Sequence, residues 1–119
     1  MKSLNNFVAG SSTQSHSGAT TEIINPATGV AYATAQLSNS ADVDQALNAA
    51  ATAFQEWRET TPAERQRALL KIADALESRA EEIVAIESEN TGKPLGLTAS
   101  EEIPPMIDEI RFFAGAARL

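Results

Sequence analysis

The sequence predicts a mostly helical chain that opens with a β-hairpin. Three stretches predict it. Thr61 to Pro94 carries two helix-start patterns and then a glycine and a proline that forbid continuation. Ser40 to Trp57 is an alanine-rich run with an apolar face. A β-branched run and a loosely alternating one flank Asn25-Pro26-Ala27-Thr28-Gly29, a turn in which proline fixes one φ and Gly29 can take a positive one.

Asn6 to Gly10 reads as a short strand ending in a turn, and Ser11 to Thr20 as a polar loop. Thr21 to Asn25 and Val30 to Leu37 form the hairpin. Ser40 is the expected N-cap of the first helix, with Asp42 and Asp44 where the helix dipole favours anions. Val43, Ala46, Leu47, Ala50, Phe54 and Trp57 keep one face apolar. Thr61-Pro62-Ala63-Glu64 is a capping box with proline at the first helical position. Leu69, Ile72, Ala73 and Leu76 follow as a buried stripe. Ser78 to Glu81 repeats the box, and Ile83, Val84 and Ile86 give the next helix a shorter stripe. Gly92 is its left-handed cap. Leu95 to Thr98 reads as a connection, and Pro104-Pro105 as a kink or restart. Ile107, Ile110, Ala114 and Ala117 line a last helix, with Asp108 and Arg111 spaced to pair on its outer side. The organisation expected is a strand and polar loop over 1–20, the hairpin over 21–37 and helices over 40–119. Leu119 falls inside that last pattern, which predicts a piece of a longer protein.

The chain has 119 residues, 43% of them hydrophobic, as a globular chain requires. Its net charge of −7 and pI near 4.6 argue against electrostatic binding to nucleic acid or anionic lipid. With no cysteine there is no disulfide framework and no thiolate ligand or nucleophile in these residues. No signal-like or membrane-spanning run is present, so the expected address is the cytoplasm.

No self-sufficient catalytic set emerges. His16, the one histidine, reads as a solvated loop residue. Thr91-Gly92-Lys93-Pro94 lacks the earlier glycine, the preceding strand and the Ser or Thr that a phosphate loop needs, so Lys93 reads as solvated. Glu101 and Glu102 point about 100° apart on a helix and cannot face one reacting atom; as a carboxylate beside backbone carbonyls, one of them suits a hard cation. Trp57, Phe112 and Phe113 read as core aromatics.

The same residues resemble a family. Asn25-Pro26-Ala27-Thr28-Gly29, Ala53-Phe54-Gln55-Glu56-Trp57, Pro62-Ala63-Glu64-Arg65, Glu89-Asn90-Thr91-Gly92-Lys93-Pro94 and Arg111-Phe112-Phe113-Ala114-Gly115-Ala116-Ala117-Arg118 are similar, in order and spacing, to the N-terminal part of the NAD(P)-dependent aldehyde dehydrogenases. Glu102-Ile103-Pro104 and the Arg111–Arg118 run look nearest to aminobutyraldehyde dehydrogenases, with the betaine-aldehyde type a near relative.

The resemblance implies an α/β fold with a Rossmann-type cofactor domain, of which this chain is the opening, and catalytic and oligomerisation domains that lie elsewhere. It implies oxidation of a small-molecule aldehyde, of the 4-aminobutanal kind, through a cysteine thiohemiacetal, with hydride passing to NAD. It implies a homo-tetramer or dimer. The family's catalytic and NAD-binding residues have no counterparts here. The one carry-over is a structural K+ or Na+ site at Ile23, Ile24 and Glu102, with glutamate where relatives have aspartate. A stand-alone helical interaction module is the competing reading; a small enzyme built on Glu101 and Glu102 is a third.

Overall fold

A computed structural model describes all residues, 1–119, and divides them into two compact units, Met1–Glu59 and Thr60–Leu119.

The first unit holds the strands and one helix. β4 (Thr20–Asn25) and β5 (Val30–Gln36) form the expected antiparallel hairpin. Its turn closes as the sequence requires: Asn25 Oδ1 accepts the Ala27 N–H at 2.9 Å, the Asn25 carbonyl accepts that of Gly29 at 2.8 Å, and Gly29 takes φ 70°. A β-bulge falls between Ile23 and Ile24. β1 (Lys2–Leu4) adds to β5 in parallel, giving the order β1-β5-β4 with Ala33 fully buried.

The polar stretch expected to be a loop contains a strand. β2 (Asn6–Val8) and β3 (Ser11–Thr13) make a second, two-stranded hairpin. Both residues of its turn have positive φ, Ala9 at 51° and Gly10 at 78°. That geometry matches the twist of tight hairpins; the turn at Gly10 was expected, but alanine rarely adopts positive φ and does not mark a two-residue hairpin, so the strand after it was not.

α1 (Ser40–Trp57) begins one residue earlier than expected. Asn39, not Ser40, is the cap: its Oδ1 accepts the N–H of Ala41 and Asp42, and Asp42 Oδ2 accepts the Asn39 N–H at 2.8 Å. This is a complete capping box. Within this unit the apolar face of α1 stays uncovered: Val43, Leu47, Phe54 and Trp57 are all exposed, Leu47 at 63%.

The second unit is helical. α2 (Pro62–Ser78) starts on the Thr61 box as expected, with the Glu64 carboxylate accepting the Thr61 N–H at 2.7 Å. α3 (Ala80–Thr91) follows after a single non-helical residue, Arg79. The expected second box does not form. Ser78 is still helical, so its hydroxyl donates back to the Ala75 carbonyl at 2.9 Å, and Arg79 instead binds Glu82 through Nε and a terminal nitrogen. Gly92 ends α3 with φ 76°, as expected.

The expected connection after Pro94 is helical. α4 (Leu95–Leu97) runs into a wide π-type turn (Thr98–Glu102) and then α5 (Ile103–Ala116), whose first turn takes up both prolines. Ala73, Val84, Ile103 and Ile107 form the core, flanked by Leu76, Ala80, Ile83 and Ile110. Burying each of the three larger side chains contributes roughly 2 kcal/mol. Ile72, expected in the buried stripe, is exposed, because only the Ala73 side of α2 meets α5. The aromatics are not core either. Phe112 and Phe113 are 71% and 62% exposed, in edge-to-face contact with each other, their centroids 5.3 Å apart.

Candidate functional site

The most elaborate polar constellation lies in the first unit, around Asp42. Its side chain is nearly buried at the first turn of α1, and four donors converge on it. Oδ1 accepts the His16 N–H at 2.9 Å and lies 2.7 Å from His16 Nδ1; Oδ2 accepts the Ser15 hydroxyl and the Asn39 N–H, both at 2.8 Å. A carboxylate only accepts, so Nδ1 carries the proton and donates. The backbone N–H bonds from Asn39 and His16, and then the ring, hold the Asp42 carboxyl far below the usual carboxylate range. The expectation of a solvated His16 is therefore corrected: its ring is about half exposed but tied to Asp42. Ser15, His16 and Asp42 do not form a relay for nucleophilic attack. Both Ser15 and His16 end on the aspartate, and the buried Ser15 hydroxyl also contacts Ser17 and the Leu37 carbonyl. The arrangement pins the 15–18 loop to the start of α1.

In the second unit, two charged side chains, Lys93 and Arg111, depart from their expected roles. Lys93 is not solvated: its Nζ donates to Glu102 Oε1 at 2.8 Å and Oε2 at 3.1 Å, and to Glu87 Oε1 at 3.4 Å. The bonds from Glu102, outweighing partial desolvation, raise the Lys93 pKa above the ordinary lysine value. Glu101 and Glu102 part company as expected, Glu101 exposed and Glu102 turned to Lys93. Arg111 does not pair with Asp108 on its own helix. It reaches α2, where Asp74 accepts at 2.9 Å and Glu77 at 2.6 and 3.2 Å.

Of the residues expected to hold a cation, Ile23 and Ile24 pair with Ala33 and Ala31 on either side of the register shift between β4 and β5 in the first unit, and Glu102 ends the wide turn in the second. No group of three or more His, Cys, Asp or Glu side chains gathers anywhere in the chain. A groove of about 690 Å3 opens in the second unit, floored by Val84, Ile103 and Ile107 with Glu81 and Asp108 on its walls. It contains neither a nucleophile nor a base oriented by a partner, so nothing in it amounts to a catalytic set. No helix is long and apolar enough to cross a membrane.

This order of elements, a strand hairpin followed by capped helices with no catalytic centre, is that of the opening portion of a much larger enzyme subunit in solved structures. HpcC from Thermus thermophilus superposes with a TM-score of 0.94 at 32% identity, over 98% of this chain and 22% of that one. The NAD+ complex of the aldehyde dehydrogenase from Bacillus cereus gives 0.92 at 32% identity, over 96% and 24%. In sequence, an aldehyde dehydrogenase of Vibrio cholerae is 36% identical over 113 residues, 95% of this chain and 22% of its own length. DhaS of Bacillus subtilis is 40% identical over 111 residues, 92% of this chain and 22% of its own. The profile of the aldehyde dehydrogenase family matches residues 12–119. The chain belongs to the aldehyde dehydrogenase family. It spans about a fifth of the length of the curated relatives it matches.

Proposed function

We propose that these residues act as the opening of the cofactor domain of an NAD-dependent aldehyde dehydrogenase, the larger protein oxidising an aldehyde to its carboxylate as a cytoplasmic dimer or tetramer. The observation that carries the reading is the superposition of nearly the whole chain on NAD-bound relatives, the Bacillus cereus enzyme and PnpE among them. An amino-aldehyde substrate is the finer proposal. It is supported by the Glu102-Ile103-Pro104 and Arg111–Arg118 segments. The 119 residues hold no cysteine to form the thiohemiacetal. The isolated chain is therefore expected to show no aldehyde-dependent formation of NADH, followed by its absorbance; turnover would refute the assignment. Expression of the gene with whatever coding sequence follows Leu119 tests the other half: NADH should form, and 4-aminobutanal should give a higher kcat/KM than acetaldehyde.

A structural K+ or Na+ bound by the backbone oxygens of Ile23 and Ile24 and by Glu102 is a second proposal. Its support is the family resemblance: Ile23 and Ile24 stand just before the Asn25-Pro26 turn and Glu102 just before α5, and the strand register is irregular between the two isoleucines. Lys93 is the internal competitor for Glu102. A thermal midpoint that rises with K+ or Na+ but not with the large tetramethylammonium ion would support the site; an equal response to all three would remove it.

A further inference from the structure

Between α4 and α5 the helical ladder changes register. The Ile103 N–H donates to the Thr98 carbonyl, five residues back rather than four. The cause lies just ahead in the sequence. In α register the carbonyls of Ser100 and Glu101 would receive the N–H groups of residues 104 and 105, and both are proline. Neither donor exists, and each ring would strike the carbonyl four residues back. One proline removes one bond; two in succession remove adjacent bonds and impose two adjacent clashes. Widening the preceding turn moves both carbonyls clear. The near end of the turn is anchored by Thr98, which is fully buried and whose hydroxyl donates to the Pro94 carbonyl at 3.4 Å.

The extra residue in the turn has a geometric result. It shifts the phase of everything on one side of it by about 100° relative to the other. Glu102 is the last residue of the turn, and its carboxylate receives Lys93 through both oxygens. Lys93 follows directly on the Gly92 cap of α3.

We propose that Pro104-Pro105 is a register device: it imposes the wide turn, and the wide turn delivers Glu102 to Lys93, latching the end of α3 to the start of α5. The latch is local to this unit and independent of the dehydrogenase reading given above, and it competes for Glu102 with the cation proposed there.

Lysine acylation tests it, because the chain has only Lys2, Lys71 and Lys93 and mass spectrometry resolves all three sites. In the intact chain Lys93, held between Glu102 and Glu87, should acylate more slowly than Lys71. Glu102→Gln should raise the Lys93 rate several-fold while the turn stays wide. The double variant Pro104→Ala, Pro105→Ala should raise it as well, with Lys2 and Lys71 unchanged, and its crystal structure should show Ile103 bonded to residue 99. Pro104→Ala alone, which restores the donor to Ser100 with a smaller change, provides the same reading should the double variant fail to fold. An unchanged Lys93 rate in the proline variants, or an Ile103–Thr98 bond that survives in them, overturns the proposal. So does a Glu102→Gln variant whose Lys93 is no more reactive.

Discussion

Asp42 shows most clearly how one side chain organises its surroundings. All four of its strong acceptor positions are taken by donors from Ser15, His16 and Asn39. An amide has the same shape but one donor edge, so Asp42→Asn places an NH2 against N–H or O–H groups. The variant should unfold at a lower temperature than the parent at neutral pH. The pH dependence follows from the lowered pKa. The folded state binds this proton less readily than the unfolded chain, whose aspartate titrates near about 3.9. The stabilisation is therefore fully present above that value and is lost as pH falls through it toward the folded pKa. Thermal midpoints followed from neutral to strongly acidic pH should fall less steeply in Asp42→Asn than in the parent; parallel curves would show that Asp42 does not carry the acid sensitivity. Arg111 offers a second contrast at this scale. Its partners are Glu77 and Asp74, which raise its pKa further, so Arg111→Met should destabilise the helical unit while Asp108→Ala should not. The opposite order in urea unfolding would restore the pairing expected from spacing.

Helix ends test the local rules one by one. The Thr61 box forms and the Ser78 box does not, although the two read alike. A capping box needs a cap residue outside the helix, and Ser78 is inside one: α2 continues through it and only Arg79 breaks step. Thr61→Ala should cost about 1 kcal/mol in chemical unfolding, and Ser78→Ala close to nothing. At the other end of α3, Gly92 holds a left-handed backbone at φ 76°, where a Cβ costs about 1 kcal/mol. Gly92→Ala should lower stability by that amount, and Gly92→Asn by less, since asparagine tolerates the conformation better. An alanine variant as stable as the parent would place the exit of α3 under other control. Element by element, helices, the Thr61 and Gly92 caps and the main hairpin were legible because their signals are short-range. β3 was not, because its turn uses Ala9 where Asn or Asp would have marked it, and β1 was not, because a parallel partner some thirty residues away leaves no local trace.

At the scale of the whole chain the balance of apolar surface is unusual. The side chains expected to form a core include Leu47, Phe54, Trp57, Ile72, Phe112 and Phe113, and all are exposed. Surface of that kind favours association. The chain should bind a hydrophobic dye and sediment as more than a monomer at micromolar concentration, and Leu47→Glu with Phe112→Glu should reduce both without changing the helical signal in circular dichroism. A monomer that binds no dye would contradict this. The exact aldehyde and the choice between NAD and NADP were not legible in these residues, which offer only a resemblance toward amino-aldehyde enzymes. No cysteine is present, and neither unit contains a catalytic set.

By itself the sequence determined where the helices and the main hairpin lie and which family the chain belongs to, because capping, turn chemistry and apolar periodicity act over a few residues and ordered motifs survive divergence. Only the tertiary structure decided which apolar faces are covered and which charges meet. Arg111 chose α2 over its own helix, Lys93 chose Glu102 over water, and Asp42 gathered a loop from more than twenty residues away. Those pairings depend on distances set by the packing of whole elements, and residue spacing along the chain does not encode them.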